Sequence, residues 1–137
     1  MQRMKQKKAA RKETLCKAAH QKTSNRASGL AYEKRAAQYL EAFGYRILSY
    51  NYRCRLGEID LIARDGRYLV FVEVKYRADA RKGYGAEAVD LRKQRRIINS
   101  ARWYLMEHGC PEDEPCRFDV VAFLGGEAVL IRDAFSC

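Results

Sequence analysis

Gly57-Glu58-Ile59-Asp60-Leu61-Ile62-Ala63-Arg64-Asp65-Gly66-Arg67-Tyr68-Leu69-Val70-Phe71-Val72-Glu73-Val74-Lys75 is the stretch that decides the fold. Two apolar runs flank Asp65-Gly66, a strong short-range signal for a β-hairpin. Asp60, Glu73 and Lys75 sit inside those runs. A charge inside an apolar strand costs free energy unless it is paired, hydrogen-bonded or bound to metal. A two-residue turn at Asp65 and Gly66 would pair Arg64 with Arg67 and Ala63 with Tyr68. Asp60 would then lie opposite Phe71, with Glu73 as its diagonal neighbour. Side chains alternate with period two. Glu58, Asp60, Phe71, Glu73 and Lys75 therefore share one face, and Ile59, Leu61, Val70, Val72 and Val74 the other. Diagonal neighbours are about 7–8 Å apart, close enough for two carboxylates to lean onto one divalent cation. A one-residue slip would send Asp60 to the wrong face. The unbroken apolar run Tyr68 to Val72 reads as a strand buried on both sides, which argues against Glu73 and Lys75 being a plain surface pair.

The flanking chain supplies layers for this hairpin. Leu30 to Phe43 reads as a helix with Leu30, Ala37, Leu40 and Phe43 along one side, Ser28 as N-cap and Gly44 closing it. Arg46 to Arg53 reads as a strand. Gly83-Tyr84-Gly85 falls in a basic loop after Lys75. Ala86 to His108 reads as a long helix carrying Val89, Ile97, Ala101, Tyr104 and Leu105, ending at Gly109. Arg117 to Leu124 and Glu127 to Phe135 are two further strands around Gly125-Gly126. The order α-β-β-β-α-β-β predicts an α/β sandwich, a mixed central sheet of about five strands flanked by helices.

Bulk properties narrow the function classes. The 137 residues are 47% hydrophobic and 32% charged, enough for one domain with a real core. No apolar run approaches the ~18 residues of a membrane span, and no secretory apolar segment opens the chain. Five scattered cysteines (Cys16, Cys54, Cys110, Cys116, Cys137) form no CxxC pair and read as reduced thiols of a cytoplasmic protein. The net charge of +10 is uneven: residues 1–28 hold nine Lys/Arg against Glu13 alone, while residues 29–137 hold 18 Lys/Arg against 16 Asp/Glu. Residues 1–28 thus read as a basic, disordered extension ahead of a domain at 29–137. Such an arm either touches nucleic-acid phosphates or is a solubilising tail, or marks a start codon upstream of the true one.

The face shared by Asp60, Glu73 and Lys75 suits metal-assisted phosphodiester cleavage. Carboxylates hold a hard cation such as Mg²⁺, which polarises phosphate and activates water, and a nearby ammonium stabilises developing negative charge. Asp60 and Glu73 are the expected ligands, with the Val74 carbonyl as a third. Lys75 is the expected catalytic cation. Glu58 shares the face on paper, either behind the ligands or as a surface residue at the strand's start. The cluster Arg92-Lys93-Gln94-Arg95-Arg96 puts Arg92, Lys93, Arg95 and Arg96 forward as phosphate contacts, or as a solvated face. Asp119, between Phe118 and Val120, reads as structural, and Trp103 and Tyr104 as core.

At Asp60 and Glu73-Val74-Lys75 the chain resembles the PD-(D/E)xK nuclease superfamily, which carries an Asp on one strand and Glu-x-Lys on the next. It more closely resembles the YraN-like family of predicted endonucleases, through Gly29, Glu33, Ala37, Tyr39-Leu40, Gly44-Tyr45, Asn51-Tyr52-Arg53, Gly57 to Ile62, Phe71 to Lys75, Ala88-Val89, Lys93-Gln94 and Arg117 to Val121. The resemblance spans roughly residues 29–135. It implies a restriction-endonuclease-like fold, with Glu33 on the first helix and Gln94 on the second completing the catalytic set. It implies Mg²⁺ or Mn²⁺ as cofactor and an endonuclease acting on DNA, on branched or single-stranded forms among others. The alternative is a catalytically silent nucleic-acid-binding module with the same fold. No membrane partner is expected, and a homodimer is left open.

Overall fold

Gly66 makes the central hairpin. Its φ of 58° is a left-handed conformation that glycine adopts without strain, and Arg67 does not share the positive φ. A two-residue turn with positive φ at its first position only has the pattern of a type II′ turn, whose twist suits a hairpin. It joins β2 (Gly57–Asp65) to β3 (Tyr68–Arg77). Asp65 pairs with Tyr68, Arg64 with Leu69 and Ile62 with Phe71. The turn is therefore Gly66-Arg67, not Asp65-Gly66, and Asp60 does not lie opposite Phe71. The register is displaced by two residues from the expected one. An even displacement by itself changes no face, and it brings Asp60 level with Glu73. Ile59, expected on the face of Leu61, instead packs with Ile62 and Phe71 in the opposite core, because the alternation breaks at Asp60, where the β2–β3 pairing ends.

The computed structural model describes residues 22–77 and 89–136, with side chains described for 29–76 and 89–136. The remaining elements are α1 (Lys22–Ala42), β1 (Arg46–Cys54), α2 (Leu91–Glu107), β4 (Cys116–Leu124) and β5 (Glu127–Phe135). They form a five-stranded sheet in the order β1-β2-β3-β4-β5. Neighbours are antiparallel except β3 and β4, which run parallel. A parallel pair needs a crossover connection, and the chain between these two strands contains α2. Ile97, Ala101 and Tyr104 of α2 pack with Ile62, Leu69, Phe71, Phe118 and Val120. Ala36, Ala37 and Leu40 of α1 pack with Leu61, Ala63, Val70, Val72, Val121 and Phe123. Alternate residues of β3 thus enter opposite cores, which is why Tyr68 to Val72 is apolar without a break. The result is a mixed sheet between two helices.

Three expectations need correction. α1 runs over Lys22–Ala42, so Ser28 lies within the helix rather than capping it. Phe43 is about half exposed rather than buried, its ring meeting Tyr39 edge-on at 5.0 Å. α2 starts at Leu91, because Asp90 is its N-cap and accepts the Lys93 N–H at 2.8 Å. Val89 therefore precedes the helix, though it is buried as expected. The expected helix start at Ala86, the loop Gly83-Tyr84-Gly85 and residues 1–21 lie outside the described residues. Asp119 is fully buried and structural: it accepts the Tyr45 hydroxyl at 2.6 Å, Arg117 Nε at 2.9 Å and the Asp133 N–H at 2.9 Å. Among the described residues, no helix is long and apolar enough to cross a membrane.

Candidate functional site

The β2–β3 pairing stops at Leu61 and Val72, although both strands run on, while β3 stays paired with β4 as far as Arg77 and Leu124. The sheet forks there. In the fork, Asp60 Oδ2 accepts the Val74 N–H at 2.8 Å, a side chain taking the place of a ladder carbonyl. Glu73, only 3% exposed, is the next residue back along β3. Its Oε2 lies 3.3 Å from Lys93 Nζ, which arrives from the first turn of α2. Glu33 comes from α1, on the other side of the sheet, and sits beside Asp60 and Asn51. The fork is thus a gap through which both helical layers reach the same carboxylates.

Three acids in so small a space resist ionising together. Burial, and after it adjacent Asp60, push the Glu73 carboxyl up to about 9 against the lowering effect of Lys93. Burial first, then Asp60 and Glu58, raise Glu33 to about 8 against an opposing hydrogen bond from Asn51. Burial alone would lower the Lys93 ammonium, but Glu73, Asp60 and Glu58 more than offset it, so its pKa is raised. Acids perturbed by burial and by one another mark a candidate functional site.

Glu33, Asp60 and Glu73, all expected at the site, converge there. Val74 contributes its N–H to the site, as an anchor for Asp60. Lys75 is half-buried and follows Glu73 by two residues, on the same face of β3. Glu58 is exposed and pairs with Arg53 at 3.4 Å, its charge still felt at Glu33 and Lys93. Gln94 donates its amide Nε2 to the Val89 carbonyl at 2.9 Å, bracing the segment that enters α2. Arg92, Arg95 and Arg96 are exposed, but Lys93 leaves that surface group and turns inward. Asn51, quoted above only as one of the residues that carry the family resemblance, joins the site beside Glu33. It holds a left-handed φ of 51°, which Asn tolerates better than most residues.

Among the described residues, no three His, Cys, Asp or Glu side chains form a ready-made metal cage. The donors nonetheless suit a hard cation. They are carboxylate oxygens, and Glu33 Oε1 is buried with no hydrogen-bond partner among the described residues. Mg²⁺ commonly takes one or two carboxylates and completes its shell with water and substrate phosphate.

The sequence profile described as "Uncharacterised protein family UPF0102" matches residues 32–123. The chain belongs to this family. A UPF0102 protein of Lachnoclostridium phytofermentans is 54% identical over 112 residues, covering 82% of this chain and 95% of the relative. One from Xanthomonas campestris is 49% identical over 109 residues, covering 78% of this chain and 89% of the relative. The UPF0102 protein YraN of Escherichia coli is 46% identical over 110 residues, covering 80% and 84%. The segment matched to UPF0102 runs from the residue before Glu33 to the penultimate residue of β4, so it contains every member of the fork.

Proposed function

We propose that this UPF0102 chain is a metal-dependent endonuclease of the PD-(D/E)xK superfamily, with a restriction-endonuclease-like fold, that hydrolyses phosphodiester bonds in DNA using Mg²⁺ or Mn²⁺. The observation that carries the reading is the convergence of Glu33, Asp60 and Glu73 at the fork, with Lys75 on the face of Glu73. Asp60 and Glu73 would hold the cation, which supplies Lewis-acid polarisation of the phosphate when bound. The Val74 N–H fixes the rotamer of Asp60, so this carboxylate needs no reorganisation at the moment of reaction. Lys75 orients the attacking water and stabilises charge on the phosphate. Glu33 holds a proton beside Asp60 and limits the repulsion among the acids. The exposed Arg92, Arg95 and Arg96 offer phosphate contacts beside the site.

The Lys93–Glu73 ion pair favours a second reading, a nucleic-acid-binding module without catalysis, because the chain already supplies a cation to its most buried site acid. One assay separates the two. Cleavage of single-stranded, duplex and branched DNA is measured with Mg²⁺, Mn²⁺ or chelator, for wild type, Glu73→Ala and Lys75→Ala, with DNA binding followed in parallel. The nuclease reading expects metal-dependent cleavage that falls by about 10²–10³ in Lys75→Ala, the usual cost of losing one such group, with binding largely kept. Equal residual cleavage in all three proteins, with binding intact, makes the silent module the answer.

A further inference from the structure

A ladder of three aromatic rings rises beside the fork. Phe123 of β4, 1% exposed, anchors it in the core. Tyr32 of α1 lies over Phe123 with centroids 5.1 Å apart. Tyr76 of β3 stacks on Tyr32 at 4.6 Å and 27° between planes, and is itself 50% exposed. Tyr32 immediately precedes Glu33 on α1, so the ladder stands on the α1 side of the fork; Tyr76 follows Lys75 on β3, its ring on the opposite face of the strand. Arg35 flanks it, its guanidinium carbon 5.5 Å from the Tyr32 ring centre and 4.9 Å from that of Phe123. That guanidinium is held by Nη2 donating to the Gly126 carbonyl at 3.1 Å.

Core packing accounts for Phe123 and Tyr32. It does not account for a large outermost ring left half in water at the end of a ladder that a fixed guanidinium flanks at Tyr32. Offset-stacked rings at this spacing are the arrangement aromatic pairs prefer, and every nucleobase presents a π-face that can extend such a stack. The Arg35 guanidinium matches the phosphate that each base carries. A paired base inside a duplex has no free face to offer.

We propose that the Tyr32–Tyr76 ladder is a stacking platform for an unpaired nucleobase of DNA, with Arg35 beside the adjoining phosphate. The site then takes DNA that is single-stranded, or locally splayed, next to the bond presented to the carboxylates. This assignment of substrate class rests on the endonuclease reading, but the platform itself can be tested without cleavage.

The test is binding in chelator, at fixed salt, of a short oligodeoxythymidylate and of a fully paired duplex. With one base no longer stacked, Tyr76→Ala should weaken oligodeoxythymidylate binding by about 5- to 150-fold. Duplex binding and the salt dependence of both should be unchanged, because no charge is removed. Tyr76→Phe should retain single-strand affinity. If Tyr76→Ala fails to melt cooperatively, Tyr76→Trp gives an independent reading: its added fluorescence over Trp103 should be quenched by oligodeoxythymidylate and not by duplex. Equal losses for both ligands, no loss for either, or no selective quenching would overturn the platform. Absence of metal-dependent cleavage in wild type would instead remove the nuclease reading and leave the binding result standing.

Discussion

Glu73 keeps its proton to higher pH than an ordinary glutamate, because its charged form would be buried beside Asp60. Its folded-state pKa, about 9, lies above the ordinary 4.5, as does that of Glu33 at about 8. The sign follows from linkage. Stability from these acids is complete below pH 4.5 and is lost as pH rises through about 8 and then about 9. Glu73→Gln should therefore raise the melting temperature more at pH 9 than at pH 5, and flatten the pH dependence between them; parallel curves for wild type and variant would refute this. At this scale the sequence was legible where a charge interrupted an apolar strand, as at Asp60 and Glu73. Glu33 carries no such local signal on a helix rich in charge, and entered only through family resemblance. Lys93 looks like its three Arg neighbours in sequence. Asp90 separates it from them by starting the helix where Lys93 points into the fork.

The β1–β2 connection depends on one glycine. Gly57 has φ of 151°, and a Cβ there would stand 3.0 Å from Ser100 Oγ of α2. Gly57→Ala should destabilise by about 1 kcal/mol or more, since both the conformation and the contact oppose a side chain. Ser100 Oγ is buried without a hydrogen-bond partner among the described residues, so Ser100→Ala should be neutral or stabilising. The double variant should recover the steric part of the loss and keep the conformational part. Denaturant titration of the four proteins reads this directly; full recovery would show that φ imposes no cost. The order of elements was readable because the connections carry clear turn signals and the strands are short apolar runs between them. The hairpin register was not, because both Asp65-Gly66 and Gly66-Arg67 are plausible two-residue turns. The faces of Phe71, Glu73, Leu61, Val70 and Val72 survived because the two turns differ by an even number of residues in pairing, whereas Ile59 changed core where the alternation breaks at Asp60.

For the whole molecule, the asymmetry of charge is the property that reaches furthest from the fork. Residues 1–21, which precede α1, carry seven Lys/Arg. If they contact phosphates, their deletion should weaken DNA binding and flatten its salt dependence, by about 0.9 in log–log slope for each duplex phosphate that they neutralise. Cleavage should survive, because every proposed catalytic residue lies beyond them. An unchanged slope would make this segment a bystander to binding. The deletion should end before Lys22, since α1 runs unbroken from there to Ala42 and delivers Glu33.

The interruption in the β2–β3 ladder has a mechanical consequence. Beyond Leu61 and Val72 the two strands are tied by the Asp60 side chain rather than by backbone pairs. A cation shared by Asp60 and Glu73 would act as a rivet across that seam. Any ligand that binds only the folded form raises stability by mass action, and here the effect should be local before it is global. Amide hydrogen exchange with and without Mn²⁺ should show slowing concentrated in residues 57–60 and 73–77, with little change in α2 beyond its first turn. Protection spread evenly over the sheet would mean that the seam is not where the ion binds.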